Sequence, residues 1–148
     1  MITKRETKQD RDKQKRLFEV FSKYRLNLKF NQFSSFSKKY RIDGYCYDEE
    51  SNIKCWIECK WYTNKAHCFL NVPKFNELIS LSELSKLPSY LLFREYDKWG
   101  FILLHDGKKV VCRYQLKRAG GTPKNRIEND DDVEPLIVLN KEDVIWGN

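Results

Sequence analysis

The sequence predicts an α/β fold in which a mixed central sheet is flanked by helices. Apolar residues recur at helical spacing in two segments, residues 10–24 and residues 72–87, and shorter runs that alternate or are apolar throughout lie between and after them. A chain of 148 residues with 41% hydrophobic residues can bury the core of one ordinary domain. We therefore expect a single domain over residues 1–148, which begins with a polar extension at residues 1–9.

The first half of the chain predicts a helix followed by strands. Residues 10–24 predict an amphipathic helix whose apolar stripe is Leu17, Val20, Phe21 and Tyr24. Residues 26–30 alternate with period two and predict a strand, and the Ser-rich residues 34–37 predict a turn. Residues 40–47 and 53–61 flank a short acidic segment, so together they predict a β-hairpin.

The second half predicts a helix, a further hairpin and a closing strand. The helix at residues 72–87 has Pro73 in its first turn and stops before Pro88. The remaining predicted elements are a hairpin of residues 90–93 and 100–104, a strand at residues 110–114, a mobile basic and acidic loop at residues 117–134, and a closing strand at residues 135–139.

The composition argues against a membrane protein and against a disulfide framework or a zinc site built from cysteines. No apolar run approaches the ~20 residues that span a bilayer, and the N-terminus lacks the apolar core of a signal peptide, so we expect a cytoplasmic protein. The five cysteines form no CxxC pair and are expected to be reduced, mostly buried thiols. With only two histidines, any metal site is expected to use carboxylate oxygens.

The net charge favours a polyanionic partner. The chain has 28 basic and 21 acidic residues, for a formal charge of +7. Lysine and arginine neutralise phosphates, so nucleic acid is the partner that this charge indicates. The same lysine content also fits a role in solubility.

Three charged residues of the predicted hairpin are expected to converge. Side chains alternate along a strand, so Glu58 and Lys60 share one face while Ile57 and Cys59 share the other. Asp43 lies in the preceding strand and comes beside this pair when the hairpin closes. Glutamate and lysine also alternate on ordinary solvent-facing strands. The Glu58 and Lys60 pattern therefore indicates a functional site only together with Asp43 and the following helix.

Such a cluster suits the hydrolysis of a phosphodiester bond. Asp43 and Glu58 are the candidate ligands for a hard divalent cation, and the backbone carbonyl of Cys59 lies between the two functional side chains, where it could join them. Lys60 would orient the attacking water and stabilise the charge of the transition state.

These residues resemble the PD-(D/E)XK nuclease superfamily, which includes restriction endonucleases and archaeal-type Holliday junction resolvases. The likeness rests on Arg41-Ile42-Asp43-Gly44 in one strand and Ile57-Glu58-Cys59-Lys60 in the next, although Ile42 replaces the frequent proline. The resemblance implies a restriction-endonuclease-like core and a Mg²⁺-dependent or Mn²⁺-dependent endodeoxyribonuclease with Asp43 and Glu58 as ligands and Lys60 as the catalytic lysine. The chain resembles the junction resolvases of this superfamily in size and element order, and this resemblance suggests branched or junction DNA as substrate. It also suggests a homodimer, which is left open.

Many members of that superfamily also carry an acidic residue or glutamine on the first helix. At 100° per residue, Asp10 falls within about 20° of Leu17 and Gln14 within about 60°, whereas Glu19 lies roughly opposite the apolar stripe. We therefore favour Gln14 as a catalytic residue or Asp10 as a metal ligand, and leave the choice between them open.

Basic residues outside the cluster are candidates for binding DNA. These are Lys65, Lys74, Lys117 and Arg118. The alternative class is a nucleic-acid-binding or assembly module that has the same fold without turnover. A metal-dependent cleavage assay separates the two classes.

Overall fold

The computed structural model describes residues 8–33, 42–62, 68–95, 97–119 and 134–147. Its first helix, α1, spans Lys8–Glu19 and continues as a π-helical segment at Val20–Leu26. The helix ends at Asn27, whose left-handed backbone (φ 54°) is one that asparagine tolerates. The helix predicted at residues 10–24 is confirmed, and its buried face is Leu17, Phe18 and Phe21.

The predicted hairpin is confirmed, but among the described residues its first strand begins only at Gly44, so Ile42 and Asp43 precede it, and the strand before the hairpin also starts later than expected. The first three strands are β1 (Lys29–Gln32), β2 (Gly44–Tyr47) and β3 (Ile53–Tyr62). β2 and β3 pair antiparallel, with Gly44 opposite Ile57. The strand prediction for residues 26–30 was wrong at its start because the helix runs through Leu26, which packs against the core beneath α1. The turn predicted at residues 34–37 lies outside the described residues.

The second helix and the second hairpin follow as predicted. β4 (Cys68–Asn71) leads into α2 (Val72–Ser85), which has Pro73 in its first turn and ends at Lys86 with left-handed backbone (φ 62°). β5 (Ser89–Glu95) and β6 (Lys98–His105) then form an antiparallel pair. The predicted helix therefore ends two residues early, since Lys86 already turns the chain toward β5.

The main sheet has six strands and mixed pairing. Its order is β1-β2-β3-β5-β6-β9, where β9 is Ile145–Trp146. β3 and β5 run parallel, and the other neighbours run antiparallel. α1 packs on one core with Ile57 and Leu92, and α2 packs on another with Leu91 and Phe93. The predicted mixed α/β class is confirmed.

A second, three-stranded sheet was not predicted. Its order is β4-β8-β7, with β7 at Tyr114–Ala119 and β8 at Glu134–Leu139. The strand predicted at residues 110–114 was wrong, because Val110 forms only an isolated bridge with His105. The loop predicted at residues 117–134 was wrong at both ends, since β7 extends to Ala119 and β8 begins at Glu134. Residues 120–133 lie outside the described part, and the closing strand is confirmed as β8.

The cysteines agree with their prediction, since all five are free and buried. Among the described residues, no helix is both long and apolar enough to cross a bilayer.

Candidate active site

The β2–β3 hairpin places Asp43 against β3. Asp43 directly precedes β2, and its backbone N–H donates to the carbonyl of Ile57 at 3.2 Å. Its carboxylate oxygen Oδ2 accepts a hydrogen bond from the backbone N–H of Cys59 at 2.7 Å. β3 continues beyond its pairing with β2, so the Asp43 side chain serves a backbone group that no β2 residue reaches. This contact fixes the carboxylate beside Glu58.

Glu58 points to the α2 side of the sheet and is fully buried there. Its Oε1 accepts a hydrogen bond from the Lys74 ammonium at 3.2 Å, while Oε2 has no hydrogen-bond partner among the described residues. Burial raises the pKa of Glu58 well above its usual value, and the neighbouring Asp43 raises it further. Lys74 and Lys60 oppose this shift in the pKa of Glu58. The Asp43 carboxylate therefore lies close enough to Glu58 to disfavour its charge.

Lys60 follows Glu58 on the same face of β3 and is half-buried. It lies opposite Phe93 of β5 in the parallel pair. Its charge lowers the pKa of Glu58, so it lies within electrostatic range of the carboxylate. Asp43, Glu58 and Lys60 thus come together as the sequence predicts.

Gln14 is the residue of α1 that reaches the site. Its amide Nε2 donates to Asp43 Oδ1 at 3.4 Å, and its Oε1 accepts from Gln32 Nε2 at 3.0 Å. Gln32 also donates to the backbone carbonyl of Arg11 at 3.3 Å. The side chain of Asp10 lies outside the described part of the structure, so its role as a metal ligand stays a prediction.

Lys74 and Gln32 are the site residues whose contacts the sequence did not predict. Lys74 was predicted to bind phosphate, which stays a prediction, and its ammonium pairs with Glu58. The sequence did contain a signal for the contact with Glu58, because Lys74 lies in the first turn of the helix that follows β3 and β4. Gln32 is opposite Gly44 in the β1–β2 pair, one position from Asp43.

Cys59 contributes its backbone to the site and its thiol to the core. The backbone N–H is the group that binds Asp43, and the carbonyl predicted as a metal ligand stays a prediction. The thiol is buried on the α1 side, and burial raises its pKa well above the usual value. It therefore stays protonated and is a poor metal ligand.

The other predicted DNA contacts lie elsewhere or outside the described residues. Lys117 and Arg118 are exposed on β7, an edge strand of the small sheet, and not in a loop. Lys65 lies outside the described residues. A cavity of about 670 Å³ lies between the π-helical segment and the sheet, lined by residues that include Arg94 and Trp99. None of the three site residues lines it.

No family model, curated protein or solved structure matches the chain. In the described part of the chain, no group of three or more His, Cys, Asp and Glu side chains is arranged to hold a metal ion. The candidate site consists of the Asp43 and Glu58 carboxylates, with the ammonium groups of Lys60 and Lys74 beside them.

Proposed function

We propose that the chain is a nuclease that hydrolyses phosphodiester bonds of DNA with Mg²⁺ or Mn²⁺ as its cofactor. One observation carries the proposal: the carboxylates of Asp43 and Glu58 lie side by side near Lys60, and the buried Oε2 of Glu58 has no hydrogen-bond partner among the described residues. A buried polar atom without a partner costs free energy and calls for a ligand. Two such carboxylates suit a hard divalent cation.

The residues present fit Mg²⁺ in particular. This ion is commonly held by one or two protein carboxylates, with waters and substrate phosphates filling its other positions. Asp43 and Glu58 would hold it, and the carbonyl of Cys59 is a further candidate. The buried thiols are soft ligands and do not compete for a hard ion.

Each residue has a separate task in the proposed reaction. A bound divalent ion would polarise a phosphoryl oxygen and activate water. Gln14 and the Cys59 N–H hold the two oxygens of the Asp43 carboxylate, so its orientation is set before substrate arrives. Lys60 stabilises the negative charge that develops on the phosphoryl group.

The order of elements supports a restriction-endonuclease-like core as part of this proposal. A helix precedes the hairpin that bears the site, and a second helix then leads to β5, which runs parallel to β3. The likeness to junction resolvases makes four-way DNA the first substrate to test, with a homodimer as the expected binding form. Sedimentation of the protein with and without four-way DNA tests the dimer.

The decisive experiment is a cleavage assay with matched lysine variants. Linear, single-stranded, flapped and four-way DNA are incubated with the protein and Mg²⁺, Mn²⁺ or EDTA. We expect metal-dependent cleavage, and a fall in kcat of at least about 100-fold in Lys60→Ala, since the lysine acts on transition-state charge. Lys54→Ala is the control, because Lys54 lies on the same face of β3 but pairs with the distant Asp48.

Three results would contradict the proposal. These are no cleavage of any DNA, cleavage that EDTA does not stop, and full activity in Lys60→Ala. DNA binding without metal-dependent cleavage would instead identify a non-catalytic binding module.

A further inference from the structure

The backbone and the side chain of Lys74 are held by different groups. Its backbone N–H donates to Asn71 Oδ1 at 2.8 Å, which fixes the first turn of α2. Its ammonium crosses to Glu58 Oε1 at 3.2 Å. The Lys74 side chain is 30% exposed, whereas that of Glu58 is 0% exposed. The ammonium therefore lies at the edge of the site, partly open to solvent, whereas the carboxylate lies wholly inside the protein.

The Lys74 ammonium and a divalent ion would share the Glu58 carboxylate. The ammonium binds Oε1, and an ion held by Asp43 and the unpartnered Oε2 would add a second cation to the same carboxyl group. Two cations on one carboxyl group repel strongly where the surroundings are buried and poorly screened. Binding of the ion therefore favours a conformation in which Lys74 leaves Glu58.

A phosphate is the partner that the released ammonium would find. Lys74 lies at the N-terminal end of α2, a helix of 14 residues, and a helix N-terminus attracts anions. Lysine suits a reversible contact because its ammonium is strongly hydrated and its stem is flexible.

We propose that Lys74 is an exchangeable counterion, which neutralises Glu58 before the divalent ion binds and contacts a phosphate of the nucleic acid afterwards. The proposal rests on the function proposed above. It assigns Lys74 two successive partners, so substrate binding and metal binding reinforce each other through this side chain.

The first test measures Mn²⁺ binding without DNA, by the electron paramagnetic resonance signal of free Mn²⁺ at pH 8. Lys74→Met should bind Mn²⁺ about 10-fold more tightly than wild type, because no cation has to be displaced. Lys74→Arg keeps the charge and should remain close to wild type. Lys54→Met removes one charge far from the site and is the control for overall charge. Unchanged or weaker binding in Lys74→Met would overturn the proposal, since a purely structural ion pair predicts a damaged site.

The second test compares the salt dependence of DNA affinity with and without Ca²⁺. The Lys60→Ala background prevents turnover, and fluorescence anisotropy reports binding. With Ca²⁺, the slope of log K against log salt should be smaller by about 0.9 in Lys74→Met than in Lys54→Met, the value for one lost phosphate contact. Without Ca²⁺ the two slopes should agree. An exchange of partners would be refuted if Lys74→Met and Lys54→Met had equal slopes both with and without Ca²⁺. It would also be refuted if their slopes differed by the same amount in both conditions.

These tests are separable from the proposed function. If wild type cleaves DNA but neither slope nor Mn²⁺ affinity responds to Lys74→Met, only the exchange fails. If wild type cleaves no DNA, the proposed activity fails, and Mn²⁺ binding still shows whether Lys74 competes with a metal ion. Circular dichroism and a thermal melt of each variant show that it is folded.

Discussion

Glu58 is a charged residue in surroundings that disfavour its charge. The sequence places it on the face of β3 opposite Ile57 and Cys59, and α2 covers that face, so the side chain is fully buried. Lys74 supplies one opposite charge, while Asp43 adds a like charge nearby. A site of this kind reduces the stability of the free protein and is retained where binding restores it.

Glu58→Gln should stabilise the protein in EDTA at pH 8, by about 1 kcal/mol, because it removes a buried negative charge next to Asp43. The folded pKa of Glu58 lies above its usual value of 4.5, so the protonated form stabilises the fold. That contribution is complete below pH 4.5 and is lost as pH rises through the folded pKa. Urea unfolding at pH 4 and pH 8 measures it. A variant that is no more stable than wild type at pH 8 would contradict the prediction.

Asp43→Asn should abolish most of the stabilisation that divalent ions give. Wild type should melt at a higher temperature with Mg²⁺ or Mn²⁺, because an ion that binds only the folded state shifts unfolding by mass action. The variant keeps the size of the side chain but loses its charge, so its gain should be much smaller. Differential scanning fluorimetry measures both. Equal gains in the two proteins would place the ion away from Asp43.

The sequence predicted the charged residues of the site better than their partners. Asp43, Glu58 and Lys60 meet because strand alternation and hairpin closure are local properties. Gln14 could be named as a candidate from helical angles. The contacts of Lys74 and Gln32 depend on how α2 and β1 pack against the hairpin, and no local pattern encodes that.

At the scale of elements, α2 carries one side of the site. Its first turn holds Lys74 over Glu58, and Asn71 caps that turn through its side chain. The helix N-terminus therefore sets the position from which the lysine reaches the carboxylate.

Asn71→Ala should destabilise the protein by about 1 kcal/mol, the usual effect of removing an N-cap. It should also weaken metal-dependent cleavage, since the first turn of α2 would fray at Lys74. Urea unfolding and the cleavage assay measure the two effects. Asn140→Ala removes the corresponding cap of the short helix Lys141–Asp143 and should leave cleavage unchanged. Equal losses of activity in both variants would argue against a local effect.

Hairpins and amphipathic helices were the predictable elements, since neighbouring residues determine them. The small sheet was not predictable, because β4 pairs with β8 across more than 60 residues of sequence. The late start of β1 has a similar cause, since packing of Leu26 under the helix outweighs the alternation of residues 26–30.

At the scale of the whole molecule, the sheet separates two cores. Glu58 and Lys60 face the α2 side, and Gln14 approaches Asp43 from the α1 helix. The site thus lies where both helices meet the hairpin. The formal charge of +7 gives the molecule a general attraction for a polyanion.

DNA affinity should fall steeply as salt rises, because most contacts would be to phosphates. Each neutralised phosphate contributes about 0.9 to the slope of log K against log salt for duplex DNA. Titrations of labelled DNA between about 50 and 200 mM salt measure the slope. The double variant Lys117→Ala, Arg118→Ala should reduce it if β7 lies on the binding surface, whereas a flat dependence in wild type would refute electrostatic binding.

The hydrogen bond from the Cys59 N–H to Asp43 makes a single amide proton a reporter of the site. That proton is shielded by a carboxylate and not by a neighbouring strand, so its exchange with deuterium depends on where the Asp43 side chain points. Any ligand that turns the carboxylate changes the exchange rate and the chemical shift of the Cys59 amide, while the Ile57 amide, which lies within the paired part of β3, stays as a reference. Occupancy of the site can therefore be followed by nuclear magnetic resonance with no substrate present.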